Sequence, residues 1–278
     1  MKKIVAAFDG LKFSESTLQY ATTLCRQHDA HLVGVFLNDM TYFSRSPYAV
    51  MTDAVNSGWT LEALEEDDHA TREKAVQRFI SACSEDAINY SVHKDKNIAL
   101  RELLHESIYA DLVVIGEGET FNRYFDSPPA RFIREFLADV QCPVLLVPKT
   151  YVPIKQSVML YDGKPSSVYA VKMFSYLLPV LSALPAEVFT VKTTDENLHL
   201  PDNTLMKEFM KRHHKNAVYT VVKGLAEEEI PLHLRKQGPG VIVVAGAYRR
   251  SAFSRFFRES MADILLQELQ WPVFIAHQ

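Results

Sequence analysis

The residues of this 278-residue chain best placed to do chemistry are two aspartates, two glycines, a serine and a group of arginines. Asp9 and Asp162 each stand before a glycine at the end of an apolar run. Gly116 and Gly246 each end another such run, Leu112-Val-Val-Ile and Val241-Ile-Val-Val-Ala. Beyond Gly246 come Arg249, Arg250, Arg255 and Arg258, then Ser260 and Asp263. A strand that stops at glycine and feeds a helix offers backbone N–H groups to an anion. Arginine forks suit phosphate. The chemistry in view is therefore anion binding. Bland readings stand beside it. Asp-Gly is a common turn dipeptide, so Asp9 and Asp162 either cap turns or touch a ligand. Ser260 either caps a helix, with Asp263 closing a loose capping box, or reaches a phosphate oxygen. The arginines either hold an anion or form a solvated or partner-facing edge.

Motifs for catalysis are missing. The sequence holds no HExxH, no GxSxG, no GxxxxGK[ST] and no GxGxxG. His213 and His214 are adjacent, about 100° apart on a helix, and share a metal poorly. Glu65-Glu66-Asp67-Asp68 reads as solvated helix surface. No metal site and no enzyme follow from these patterns.

The elements that must position the candidates alternate between strand and helix. Residues 3–10, 31–37, 88–93, 111–116 and 141–148 read as strands. Helices are expected from Ser14, a candidate N-cap, to Cys25, over 61–83, over 98–109, and from Pro128 with its proline in the first turn. Residues 38–64 form a long excursion with Tyr42, Phe43, Tyr48 and Trp59. Residues 173–185 are very apolar but carry Pro179 and Pro185, and read as a buried helix ended or kinked by proline. They fall short of a membrane span.

The pattern then restarts. Residues 156–163 match 3–10, with Asp162 in place of Asp9. Residues 186–191 match 31–36, 218–223 match 89–94, Gly246 matches Gly116, and Trp271-Pro-Val matches Cys142-Pro-Val. The second copy lacks most of the aromatic excursion. Two α/β modules with open parallel sheets are predicted, at 1–149 and 155–278, the first carrying the long insertion near 38–64.

Composition adds limits. The chain is 47% hydrophobic and 23% charged, with a net charge of −4, which gives no hint of nucleic-acid binding. Its three cysteines, Cys25, Cys83 and Cys142, are scattered, as suits a reducing cytosol. No signal peptide is visible, so a cytoplasmic location and no membrane partner are expected.

The Asp-Gly strand ends, the 111–116 strand, the Cys142-Pro-Val-Leu strand and the Gly246 loop ahead of Ser260 together resemble the universal stress proteins in their tandem form. The resemblance spans essentially the whole chain. It implies an adenine nucleotide alpha hydrolase-like fold, the two modules packed as an intramolecular pseudo-dimer. The last strands, 144–147 and 273–276, would pair across the interface. It also implies a stress-response regulator that holds ATP or a related adenine nucleotide between the first strand's aspartate and a loop of the form Gly, two residues, Gly, nine residues, Gly, Ser or Thr.

Against that loop the copies differ. In the second, Gly246 and Ser260 fit, while Arg249 and Glu259 stand at glycine positions. In the first, Gly116 fits, Glu119 takes the second position and Ala130-Arg131 the last pair. Glu117 and Glu119 would also repel a triphosphate. Any nucleotide is therefore expected in the second module, held by Asp162, Gly246, Arg249 and Ser260. The alternatives are a nucleotide-free protein-interaction scaffold and a slow ATP hydrolase. A protein partner and a homodimer are open expectations.

Overall fold

The structure is a computed structural model that describes residues 1–37, 61–95, 98–121, 130–193, 198–246 and 271–276. The uninterrupted apolar runs form strands buried on both faces, as interior parallel strands require, and less apolar runs such as 218–223 form partly exposed strands. In chain order they are β1 (Lys3–Asp9), β2 (His31–Leu37), β3 (Tyr90–Asp95), β4 (Leu112–Gly116), β5 (Val144–Val147), β6 (Gln156–Leu160), β7 (Ala186–Lys192), β8 (Val218–Lys223), β9 (Val241–Gly246) and β10 (Val273–Ala276). They make one ten-stranded sheet of order β3-β2-β1-β4-β5-β10-β9-β6-β7-β8.

That order reads the same from either edge inward: β3, β2, β1, β4, β5 is mirrored by β8, β7, β6, β9, β10. Within each half-sheet the strands are parallel. The halves meet through the antiparallel pair β5–β10, in register Leu146↔Val273, Leu145↔Phe274 and Val144↔Ile275. The pairing expected for the two last strands is the one found. It covers two edges that would otherwise offer unpaired N–H and C=O groups.

The described helices are α1 (Glu15–His28), α2 (Leu61–Glu85), α3 (Ala99–Ile108), α4 (Arg131–Asp139), α5 (Pro165–Leu177), α6 (Pro179–Ser182), α7 (Asn203–His213) and α8 (Ala226–Arg235). On one sheet face α1, α2, α5 and α7 bury Leu18, Phe79, Phe174 and Met210 in a core that runs across both halves. On the other face α3, α4 and α8 bury Leu103, Phe136 and Leu234. Ser14 caps α1 as expected, its hydroxyl accepting the Thr17 N–H at 3.1 Å. Pro179 ends α5 and starts the short α6, so the apolar 173–185 stretch is two helices in the core, not one.

Two expected elements shift. The third strand runs two residues later than its apolar run suggests, because its register is set by pairing Tyr90 to Asp95 with Leu32 to Leu37. The helix expected from Pro128 starts at Arg131, and the two prolines lie outside the described residues. The excursion is described only from Leu61 on.

Candidate functional site

Each half-sheet reverses its winding between two neighbouring strands, β1 and β4 in one, β6 and β9 in the other. Open α/β sheets leave a crevice at that point, outside the strands' carboxyl ends. Asp9 and Gly116 end β1 and β4. Gly246 ends β9, and Asp162 lies two residues beyond β6. The topology therefore brings the sequence candidates together in pairs, one pair per half.

The two aspartates share a local device. Asp9 Oδ1 accepts the Leu11 N–H at 2.9 Å, and Asp162 Oδ1 accepts the Lys164 N–H at 3.0 Å. Both are Asx turns, the carboxylate standing in for a backbone acceptor. The following glycines serve different ends. Gly163 has φ 81°, the left-handed region that favours glycine. Gly10 makes room for a helix, since a Cβ there would stand 2.9 Å from Arg72 Cγ on α2.

In the second half, α5 starts only three residues after Asp162. Its first turn lies directly on Gly246. A Cβ on Gly246 would fall 2.5 Å from the Ser166 carbonyl carbon and 2.7 Å from the Ser167 nitrogen. Glycine is needed here for close helix–strand packing, whatever else it does. The Ser167 hydroxyl sits between Asp162 Oδ1 at 2.9 Å and the Lys164 carbonyl at 2.8 Å. Lys164 Nζ lies 3.6 Å from Asp162 Oδ2. Asp162, Gly246 and the start of α5 thus form one cluster. Pro165 fills N1, no acidic residue lies in the first turn, and no side chain makes an N-cap bond. The carboxylate at that helix start is Asp162, which lies before the N-cap and accepts the Lys164 N–H and the Ser167 hydroxyl.

In the first half the corresponding place is filled by carboxyls. Asp9, Glu117 and Glu119 are all buried. The Glu119 side chain lies over Gly116, where a Cβ would be 3.3 Å from its Cγ and 3.5 Å from Thr17 Oγ1 on α1. Burial pushes Asp9 up from the usual aspartate range, and Leu11, Lys12 and Arg72 offset part of this. Burial, with the Asp9 charge added, raises Glu119 well above a normal glutamate. Burial raises Glu117 to about 7, and Lys149 opposes it weakly. Asp9 Oδ2 and Glu117 Oε2 have no hydrogen-bond partner among the described residues. Each of these carboxyls is shifted toward its neutral form, and the Glu119 side chain occupies the space over Gly116.

Arg249 and Ser260, with the other arginines of that loop, lie outside the described residues. Ser166, Ser167 and Thr17 are the participants that sequence reasoning missed. The only available hint was the Pro-Ser-Ser that follows Asp162-Gly-Lys, a helix start just beyond the turn. Among the described residues no cluster of His, Cys, Asp and Glu is arranged to hold a metal ion. Nor is any described helix long and apolar enough to cross a membrane.

No protein-family model matches the sequence, and no curated protein matches it. Solved structures do match. A universal stress protein from Archaeoglobus fulgidus is similar at 12% identity and TM-score 0.71, over 99% of this chain and 98% of that one. A functionally unknown protein from Pseudomonas aeruginosa PAO1 is similar at 14% identity and TM-score 0.60, over 100% and 92%. A candidate universal stress protein from Pseudomonas aeruginosa UCBPP-PA14 gives 15% and 0.58, over 100% and 93%. At such identities the likeness is one of fold. The chain has the α/β fold of a universal stress protein over its whole length.

Proposed function

We propose that the chain is a two-module regulatory protein of the universal stress type, cytoplasmic and without catalytic turnover, that binds an adenine nucleotide in its second module. The modules are residues 1–149 and 155–278. The observation that carries this reading is the cluster at the second switch point. There Asp162 and Gly246 flank the start of a helix that carries no acidic residue in its first turn. In this reading Asp162 meets the base or ribose side, Gly246 and the α5 start lie near the phosphates, and Arg249 and Ser260 contribute charge and a hydroxyl. Calorimetry on the full chain with ATP tests it. Saturable heat is expected, weakened at least about tenfold in Asp162→Ala and unchanged in Asp9→Ala. A folded sample that gives no heat at millimolar ATP sinks the reading.

One observation favours the rival, a nucleotide-free interaction scaffold. Asp162 Oδ1 is already engaged by Lys164 N–H and the Ser167 hydroxyl. If Asp162→Ala unfolds the turn without any nucleotide effect in the parent, the aspartate serves the fold alone and the scaffold reading stands.

A further inference from the structure

One groove among the described residues plays no part in the strand-end reading. It lies on one sheet face between α5 and α7 and encloses about 450 Å³, within the range of small-molecule sites. Tyr161, Val168, Tyr169, Met206 and Phe209 line its walls. The two helices run side by side in the same direction. At their starts Gly163 and Pro165 stand by Asp202, and at their ends the Tyr176 and His213 rings meet at 5.3 Å. The groove shares Gly163 with the Asp162 turn but includes neither Asp162 nor Gly246.

Its polar groups are few and separated. Asp202 sits at the start of α7, near the Tyr161 hydroxyl, which donates to the Pro201 carbonyl at 3.1 Å. Lys172 lies two helical turns along α5 from Pro165, roughly 10 Å at 1.5 Å per residue. Its ammonium rests 5.9 Å from the Tyr176 ring centroid, at the far end of the groove. Mostly apolar walls with a cation at one end and a carboxylate at the other suit an elongated molecule with one charged head. Asp202 repels an anionic head and Lys172 attracts it, which fixes the orientation. Leu205, 67% exposed, stands at the lip and leaves the groove open.

We propose that the groove between α5 and α7 is a binding site for a small amphipathic carboxylate, with its apolar body along Tyr169, Met206 and Phe209 and its head beside Lys172. The site is independent of any nucleotide at the strand ends.

Decanoate, kept below its micelle threshold, is the probe, titrated by calorimetry into the full chain. One saturable site is expected. Leu205→Trp places an indole across the lip without touching the core, and should weaken binding at least about tenfold. Lys172→Ala should weaken it about two- to fivefold, the usual worth of an exposed charge pair, and Lys172→Arg should restore it. Decyltrimethylammonium, with the same tail and the opposite head, should bind more weakly than decanoate. The proposal is overturned by absence of saturable decanoate binding, by Leu205→Trp affinity within twofold of the parent, or by ammonium binding as tight as decanoate.

Discussion

The two switch points have the same wiring and opposite contents. Both pair an aspartate that closes an Asx turn with a strand-end glycine, and both set the first turn of a helix beside that glycine. In the first half Glu119 lies over the glycine and buried carboxyls fill the crevice. In the second half the helix backbone itself presses on the glycine, and the neighbouring polar groups are hydroxyls and a lysine. One half has internalised its acid. The other keeps a helix start without acid in its first turn. A shared fold therefore does not imply a shared site, because a few side chains at the strand ends decide what fits.

The sharpest way to break the comparison is at the glycines. Gly246→Ala drives a Cβ into the Ser166 and Ser167 backbone, which cannot swing aside, and should cost about 2–3 kcal/mol in urea unfolding. Gly116→Ala meets the end of a flexible Glu119 side chain and should cost less than about 1 kcal/mol. Equal losses would mean that the two crevices are packed alike.

The next test is pH, where the halves should respond in opposite senses. Glu117 is raised to about 7 in the fold, from an ordinary value of 4.5. The folded state therefore holds more protons between those values, and stability falls as pH rises through that window. Glu117→Gln should remove that fall and gain roughly 2 kcal/mol over the parent at pH 8, with little gain at pH 4. In the second half His214 is buried against Phe174, with its Nε2 2.9 Å from Ser175 Oγ, and burial lowers it to about 4. There the unfolded state holds more protons between 6.5 and 4, so stability falls as pH drops through that window. His214→Gln should flatten the acid loss by about 1–2 kcal/mol. Native-state hydrogen exchange should show β6 to β9 opening first toward acid and β1 to β4 first toward base. The same order at both extremes would contradict the assignment.

The smallest effect concerns the connection between the halves. The Tyr20 hydroxyl donates to the Val152 carbonyl at 2.9 Å, pinning the linker to α1. Tyr20→Phe should cost about 1 kcal/mol, seen as faster exchange in residues 150–155.

Much of the frame was legible in the sequence, because strands buried on both faces announce themselves as apolar runs and the repeat fixes their correspondence. The 144–147 and 273–276 pairing followed from the family resemblance. Residues that meet across long sequence distances were not legible. Nothing near Gly246 signals that Ser166 will lie against it 80 positions away. Glu119 reads as a charge in the sequence, and only its burial shows that its pKa is pushed up. The α5–α7 groove is likewise a product of two helices docking, with no motif of its own. The Arg249 and Ser260 expectations lie outside the described residues.

The antiparallel join of β5 and β10 has a consequence for how the chain is made. β5 leaves the ribosome well before its partner, which begins about 125 residues later, or roughly 6–25 s at typical elongation rates. Throughout that interval the first half-sheet presents Val144 to Val147 as a bare template. An unpaired edge of this kind is a template for a strand of a neighbouring chain. Assembly is thus a race between a tethered strand and a neighbouring one, and slower translation or crowded polysomes tilt it toward swapped pairs.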